Sequence, residues 1–157
     1  MVVRAREDGR SARLYLIDAQ GSATRALTPE ALAIGESGWA VSPDGAMLAV
    51  TNGDQIEFYA VSDRGAPRGA VRSDGAHVVA WIESGLLVSD SPVAGGVVHR
   101  INLSSGRRDV WADIQPRDPA GIMNIHLRTI VVTPDGRGYA YTWHRATSDL
   151  YLVSGFV

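Results

Sequence analysis

The chain has 157 residues, of which 45% are hydrophobic and 20% are charged, and its formal net charge is −2. This balance is typical of a globular chain with a sizeable core, and the small negative charge does not favour nucleic acid as a partner. The sequence contains neither cysteine nor an apolar run approaching the ~20 residues of a membrane-spanning helix, which excludes disulfides and predicts no membrane insertion by this chain.

Short apolar runs separated by turn residues predict β-strands along the whole chain. A first unit has expected strands at 2–6, 13–17 and 23–27. After Thr28 the sequence is compatible with one helical turn or with a loop up to Gly38. A second unit has expected strands at 39–41, 47–51, 56–61 and 68–72, and a third at 78–81, 86–88, 97–103 and 107–111. We expect a long connection over 112–124, and then strands at 128–133, 139–143 and 149–153.

One turn motif occurs twice, as Ser42-Pro43-Asp44-Gly45 and as Thr133-Pro134-Asp135-Gly136, each between apolar runs. Proline presets the first central residue of a type I turn, aspartate tolerates the second central position, and glycine supplies the positive φ that follows. The motif therefore predicts two hairpins with a bulge at glycine, in which Pro43, Asp44, Gly45, Pro134, Asp135 and Gly136 are structural turn residues.

The spacing of turn glycines indicates a repeat. Intervals of 40 and 51 residues separate Gly45, Gly85 and Gly136, and intervals of 44 and 41 separate Gly21, Gly65 and Gly106. A period of about 40–45 residues with four strands per unit is typical of β-propeller blades. We therefore predict an all-β domain over 1–157, with four-stranded antiparallel meanders as blades at about 1–34, 35–73, 74–113 and 121–157.

The two terminal blades each lack a strand in this prediction. The first lacks its inner strand and the last its outer strand, so we expect an open arc of about four blades, the C-terminal part of a larger propeller. The unpaired edges at 2–6 and 150–153 then invite self-association. We expect the four tryptophans to fill the core between blades: Trp39, Trp81, Trp111 and Trp143.

The tandem Ser/Thr-Pro-Asp-Gly hairpins resemble the TolB-type and WD-like propellers of bacteria. The tail resembles the end of the propeller that follows the kinase and membrane segments in some bacterial receptor-like serine/threonine kinases, through Asp118-Pro119-Ala120-Gly121, 131–136, Tyr139-Ala140-Tyr141 and 148–153. This resemblance implies an interaction or sensing module, extracytoplasmic if its parent is such a kinase. The Gly-rich loop, His-Arg-Asp and Asp-Phe-Gly motifs do not occur in the sequence, so kinase activity is not implied.

No residue pattern predicts catalysis, a cofactor or a resident metal. The four histidines (His77, His99, His126 and His144) form no His-x-x-x-His or His-x-Glu pair. Gly35-Glu36-Ser37-Gly38 lacks the second glycine of a nucleophile elbow. We therefore expect no enzyme activity, and we interpret the chain as a module that binds a protein or a small ligand.

The connection between the third and fourth units is the best candidate for an interaction loop. It contains Arg117 and Asp118, and connections between blades lie on one face of a propeller. A rigid proline-rich connector is the alternative interpretation.

Two enzymatic alternatives remain open. One is the propeller portion of a prolyl-oligopeptidase-like peptidase, although the sequence contains no Gly-x-Ser-x-Gly. The other is a propeller enzyme with a metal in its central channel, to which Glu36, Asn52 and Asn102 could contribute oxygen ligands.

Overall fold

A computed structural model describes residues 1–21, 23–30, 32, 38–63, 65–90, 96–115, 117–118, 120–124, 130–152 and 154–155. Its secondary structure consists of fifteen β-strands in five antiparallel sheets, and the all-β prediction is confirmed for these residues. No segment in the described part of the chain forms a helix of the length and apolarity needed to cross a membrane.

Three larger sheets follow one another along the chain. The first sheet contains β1 Val2–Ala5, β2 Arg13–Ile17 and β3 Thr24–Ala26. The second sheet contains β4 Trp39–Val41, β5 Met47–Asn52, β6 Gln55–Ala60 and β7 Gly69–Arg72. The third sheet contains β8 His77–Ile82, β9 Gly85–Ser89, β10 Gly96–Ile101 and β11 Arg108–Ile114. Each strand pairs with its neighbour in sequence, so the second and third sheets are the four-stranded meanders that the turn spacing predicts.

Two smaller sheets complete the described structure. The C-terminal hairpin consists of β13 Val131–Val132 and β14 Tyr139–Ala140. The clamp pair consists of β12 Ile122–Asn124 and β15 His144–Arg145, which are far apart in sequence and bring the chain before the hairpin next to the chain after it.

The strands of the second sheet are apolar on both faces because the sheet has a neighbour on each side. Along β5, Leu48 and Val50 belong to one buried cluster, whereas Ala49 belongs to another. Strand β6 alternates in the same way, with Tyr59 in the first of these clusters and Ile56 in the second. Since successive side chains of a strand point to opposite faces, both faces of this sheet are core.

Three apolar clusters join consecutive sheets. The first joins the first and second sheets, with the buried residues Leu14, Leu27, Leu48, Val50 and Tyr59. The second joins the second and third sheets, with Ala49, Ile56, Ala76, Val78, Leu86, Val88 and Ile101. The third joins the third sheet to the C-terminal hairpin, with Ile82, Leu87, Val98, Ile114 and Ile130. Trp39, Trp81 and Trp111 pack against these clusters, one in each, as expected for tryptophans between sheets.

The first strands of successive sheets also pack against one another, β4 against β8 and β8 against β13. Hydrogen bonds accompany these contacts. The Thr51 hydroxyl accepts the backbone N–H of Val78 at 3.1 Å, and the carbonyl of Pro134 accepts the N–H of Glu83 at 2.9 Å. The second and third sheets, and the third sheet and the C-terminal hairpin, are therefore joined by a hydrogen bond each as well as by apolar contacts across their faces.

The last unit departs from the sequence prediction. Its two hairpin strands have only two residues each, and residues 149–152 form no strand, so the strand predicted at 149–153 is wrong over its described part. The connection predicted over 112–124 is also wrong at both ends, because β11 continues to Ile114 and β12 forms at Ile122–Asn124. Trp143 is 45% exposed instead of filling a core. The segment after Thr28, predicted as a helical turn or a loop, and residues 125–129 lie largely or wholly outside the described residues.

Candidate interaction surface

The two repeated turns have the same backbone geometry. The N–H of Gly45 donates to the carbonyl of Ser42 at 2.8 Å, and the N–H of Gly136 donates to the carbonyl of Thr133 at 2.8 Å. Gly45 has φ of +73° and Gly136 has φ of +70°. This is the left-handed region that glycine enters without steric cost.

A side-chain network closes the first turn. The Ser42 hydroxyl donates to Asp44 Oδ1 at 2.5 Å and accepts the N–H of Met47 at 2.9 Å, while Asp44 Oδ1 also accepts the N–H of Ala46 at 3.0 Å. The hydrogen bond from Ser42, followed by that from Ala46, lowers the pKa of Asp44 because both stabilise the carboxylate. The aspartate and hydroxyl side chains thus fix the turn through hydrogen bonds within it.

The second turn repeats this network. The Thr133 hydroxyl donates to Asp135 Oδ1 at 2.5 Å and accepts the N–H of Gly138 at 2.9 Å, and Asp135 Oδ1 accepts the N–H of Arg137 at 3.0 Å. The hydrogen bond from Thr133, followed by that from Arg137, lowers the pKa of Asp135. The motif is therefore one structural device used twice.

The interaction-loop candidates Arg117 and Asp118 have different surroundings. The carbonyl of Asp118 accepts a hydrogen bond from Arg145 Nη2 at 2.9 Å, and its carboxylate forms an ion pair with the same guanidinium at 3.2 Å. Asp118 Oδ1 also accepts the N–H of Ala120 at 3.1 Å. Both residues are exposed, but Asp118 holds the connection onto β15 of the clamp pair.

The residues considered for metal binding or catalysis are dispersed. Asn52 Nδ2 donates to Glu57 at 3.0 Å, and Asn102 Oδ1 accepts the N–H groups of Ser104 and Ser105, both at 3.0 Å, in a local turn. Glu36, Ser37 and His126 lie outside the described residues. Among the residues that are described, no three His, Asp or Glu side chains are grouped closely enough to hold a metal ion.

Four aromatic rings form a continuous line at the C-terminal hairpin, which we call the aromatic row: Trp111, Tyr139, Tyr141 and Trp143. Trp111 meets Tyr139 edge-on at 5.4 Å between ring centroids, Tyr139 stacks on Tyr141 at 6.2 Å, and Tyr141 lies 5.8 Å from Trp143. The last three residues alternate in sequence and therefore share one side of an extended chain. Tyr139 and Trp143 are each 45% exposed, whereas Trp111 and Tyr141 pack against the third cluster, so two of the four rings are open to solvent.

Other apolar side chains of the hairpin and the tail are also uncovered. Val131 of β13 is 67% exposed, and in the tail Leu150, Tyr151 and Leu152 are 98%, 81% and 96% exposed. Exposed apolar side chains in such number are candidates for interaction sites, since a single domain ordinarily buries many of them. The alternation of Tyr139, Tyr141 and Trp143 is visible in the sequence, but the contact with the distant Trp111 is not.

The opposite end of the chain has a polar cover. Tyr15 lies on the outer face of the first sheet and is only 6% exposed. Its hydroxyl accepts a hydrogen bond from Arg13 Nε at 2.8 Å and donates one to the Glu7 carboxylate at 2.6 Å. On the same side of the chain, the Glu30 carboxylate accepts a hydrogen bond from Arg10 Nη1 at 2.7 Å. The hydrogen bonds from Tyr15 and then Arg13 lower the pKa of Glu7. Charged side chains thus cover this face.

A shallow groove lies between the second and third sheets. It has two parts of about 320 Å³ and 340 Å³ that share Met47 and Trp81, and Phe58 meets Trp81 edge-on at 5.6 Å between centroids. Its apolar lining continues the cluster between these sheets. Comparison of the chain with protein-family models, curated proteins and solved structures found no match.

Proposed function

We propose that the chain is a non-catalytic β-propeller interaction module, an arc of about four blades from a larger bacterial propeller. Two structural features support the blade arrangement. Each of the second and third sheets shares an apolar cluster with a neighbour on both faces, and the first strands β4, β8 and β13 pack in succession. Among the described strands, none in the first sheet pairs with a strand after Ile114, which is compatible with an open arc.

The aromatic row is the contact surface of this module. Tyrosine and tryptophan are the residues most enriched at interface hot spots, because each combines a large apolar ring with one hydrogen-bonding group. Here Tyr139 and Trp143 are each half exposed within a line of mutually supporting rings, so little conformational entropy is lost when a partner covers them. This half-exposed line of rings is the observation that carries the proposal.

The likeness of the hairpins and tail to bacterial receptor-like serine/threonine kinases supplies the biological setting of the proposal. In that setting the chain acts as an appended sensing or interaction domain outside the cytoplasm. It binds a protein partner and has no turnover of its own.

Site-specific photo-crosslinking in an extract of the native cells tests this function. A benzoylphenylalanine residue replaces Tyr139 in one variant and Val110 in a control variant. Val110 is 66% exposed and adjoins Trp111 in β11, where successive side chains point to opposite faces. We expect protein adducts at position 139 that are absent at position 110. Adducts at neither position, or the same adducts at both, would contradict the proposal.

A further inference from the structure

The C-terminal hairpin has room for a third strand. Within the described residues, β14 pairs with β13 only, so its other edge presents backbone groups for pairing. Both faces of the hairpin carry uncovered apolar side chains, since Tyr139 is 45% exposed on one face and Val131 is 67% exposed on the other. A strand that completes this sheet must therefore be apolar on both of its faces.

The tail of the same chain has this composition. Leu150, Tyr151 and Leu152 are nearly fully exposed, at 98%, 81% and 96%. In an extended conformation the two leucines share one face and the tyrosine occupies the other, because side chains alternate along a strand. The tail can therefore cover Tyr139 with a leucine and Val131 with a tyrosine.

The clamp pair fixes the chain at the start of the tail, and beyond it Leu150, Tyr151 and Leu152 are exposed instead of packed on the hairpin of their own chain. The N–H of Ala146 donates to the carbonyl of Gly121 at 2.9 Å, and Arg145 is bonded to both the carbonyl and the carboxylate of Asp118. The chain is thus fixed as far as Ala146 and then leaves the sheet. The six residues that follow, 147–152, extend to about 20 Å at 3.3 Å per residue, which is long enough to reach another molecule.

We propose that the segment from Leu150 to Leu152 adds as a strand to the open edge of β14 in a second copy of this chain. Reciprocal addition closes a twofold dimer, in which each tail completes the sheet of its partner. This inference rests on the proposed function, because it places a partner strand on the same hairpin surface.

The first sheet is less suited to pairing with a second copy of the chain. Its outer face is covered by the network around Glu7, Arg13 and Tyr15, and its edge strand β1 carries Arg4. Charged residues on an edge strand oppose pairing with another molecule. Exchange at the C-terminal hairpin is therefore favoured over pairing of two β1 edges.

Sedimentation equilibrium of the full chain over the micromolar range tests the dimer. We expect concentration-dependent dimers for the wild type and monomers for the double variant L150D/L152D, whose charges cannot enter the sheet. The variant V110D places one negative charge at an exposed valine elsewhere and should dimerise as the wild type does. A monomeric wild type, or dimers that persist in L150D/L152D, would overturn the proposal.

Disulfide trapping tests where the tail binds. Because the chain has no cysteine, single variants A140C and Y151C can be prepared separately and mixed under oxidising conditions. Facing residues on paired strands have Cα atoms about 4.5–5.5 Å apart, which suits a disulfide. We expect A140C–Y151C heterodimers and none from V110C with Y151C. An intrachain disulfide in a dilute A140C/Y151C double variant would instead place the tail on its own hairpin and overturn exchange.

The failure of this inference is distinguishable from failure of the proposed function. If the chain is monomeric while benzoylphenylalanine at position 139 captures a different protein, the exchange is wrong and the interaction surface stands. If position 139 captures nothing, including a second copy, both are wrong.

Discussion

The turns at 42–45 and 133–136 have the same sequence plan and the same hydrogen bonds, yet they lie in different surroundings. A Cβ atom added at Gly45 would have no atom within 4 Å, whereas one added at Gly136 would lie 2.8 Å from Ile82 Cδ1. The second turn is also bonded to the third sheet, since the carbonyl of Pro134 accepts the N–H of Glu83. Local sequence thus sets the shape of a turn, and its tertiary neighbours set which substitutions it tolerates.

The hydroxyl residues of the two turns differ in the opposite sense, because the one in the first turn is the more buried. Ser42 is buried at 9% exposure, whereas Thr133 is exposed, although both hydroxyls make the same pair of hydrogen bonds. The first turn therefore depends more on its hydroxyl, and the second depends more on its glycine. This reciprocal dependence can be tested with matched substitutions.

The largest effect is expected for alanine at the two glycines. Both substitutions force a residue with a side chain into the left-handed region at about 1–2 kcal/mol, and G136A adds overpacking against Ile82, for a total of about 2–4 kcal/mol. Urea unfolding of G45A and G136A, compared at their midpoints with the wild type, measures the difference. Equal losses in the two variants would mean that Ile82 moves aside without cost.

A smaller loss of stability is expected for alanine at the two hydroxyl positions, and here the first turn should be the more sensitive one. S42A leaves the N–H of Met47 without its acceptor in a part-buried setting, which should cost about 1–2 kcal/mol. In T133A the corresponding bond is exposed, so water can replace the hydroxyl and the cost should be about 0.5 kcal/mol. The variant S42T, which keeps the hydroxyl, is the control for side-chain loss. A larger loss of unfolding free energy in T133A than in S42A, measured by urea unfolding, would contradict this prediction.

The sequence predicts the first eleven strands because turn residues separate each from the next. For β2 at Arg13–Ile17 and β4 at Trp39–Val41 the bounds agree with the prediction, and elsewhere they differ by up to three residues. Within a meander every strand pairs with its sequence neighbour, so a turn signal between two apolar runs is enough to place both.

The region after Ile114 is predicted less well because its strands depend on distant partners. The clamp pair joins β12 to β15 by backbone pairing, for example of Ile122 with Arg145. Neither short segment has the apolar alternation that would predict a strand from the sequence. The segment 149–153 has the apolar run of a buried strand but forms no strand over its described residues. A lone strand is not stable without a sheet edge, so pattern alone could not decide its state.

The smallest effect concerns the carboxylates shared by both turns. Hydrogen bonds lower the pKa of Asp44 and of Asp135 in the folded chain below the ordinary aspartate value of 3.8. A depressed folded pKa contributes stability above the unfolded pKa, and that contribution is lost as the pH falls through the folded pKa. The double variant D44N/D135N should therefore show a shallower loss of stability below about pH 4 than the wild type, measured by urea midpoints across the acid range. Asp8→Asn, outside both turns, is the matched control, and an acid limb as steep in the double variant as in the wild type would show that these carboxylates do not contribute to it.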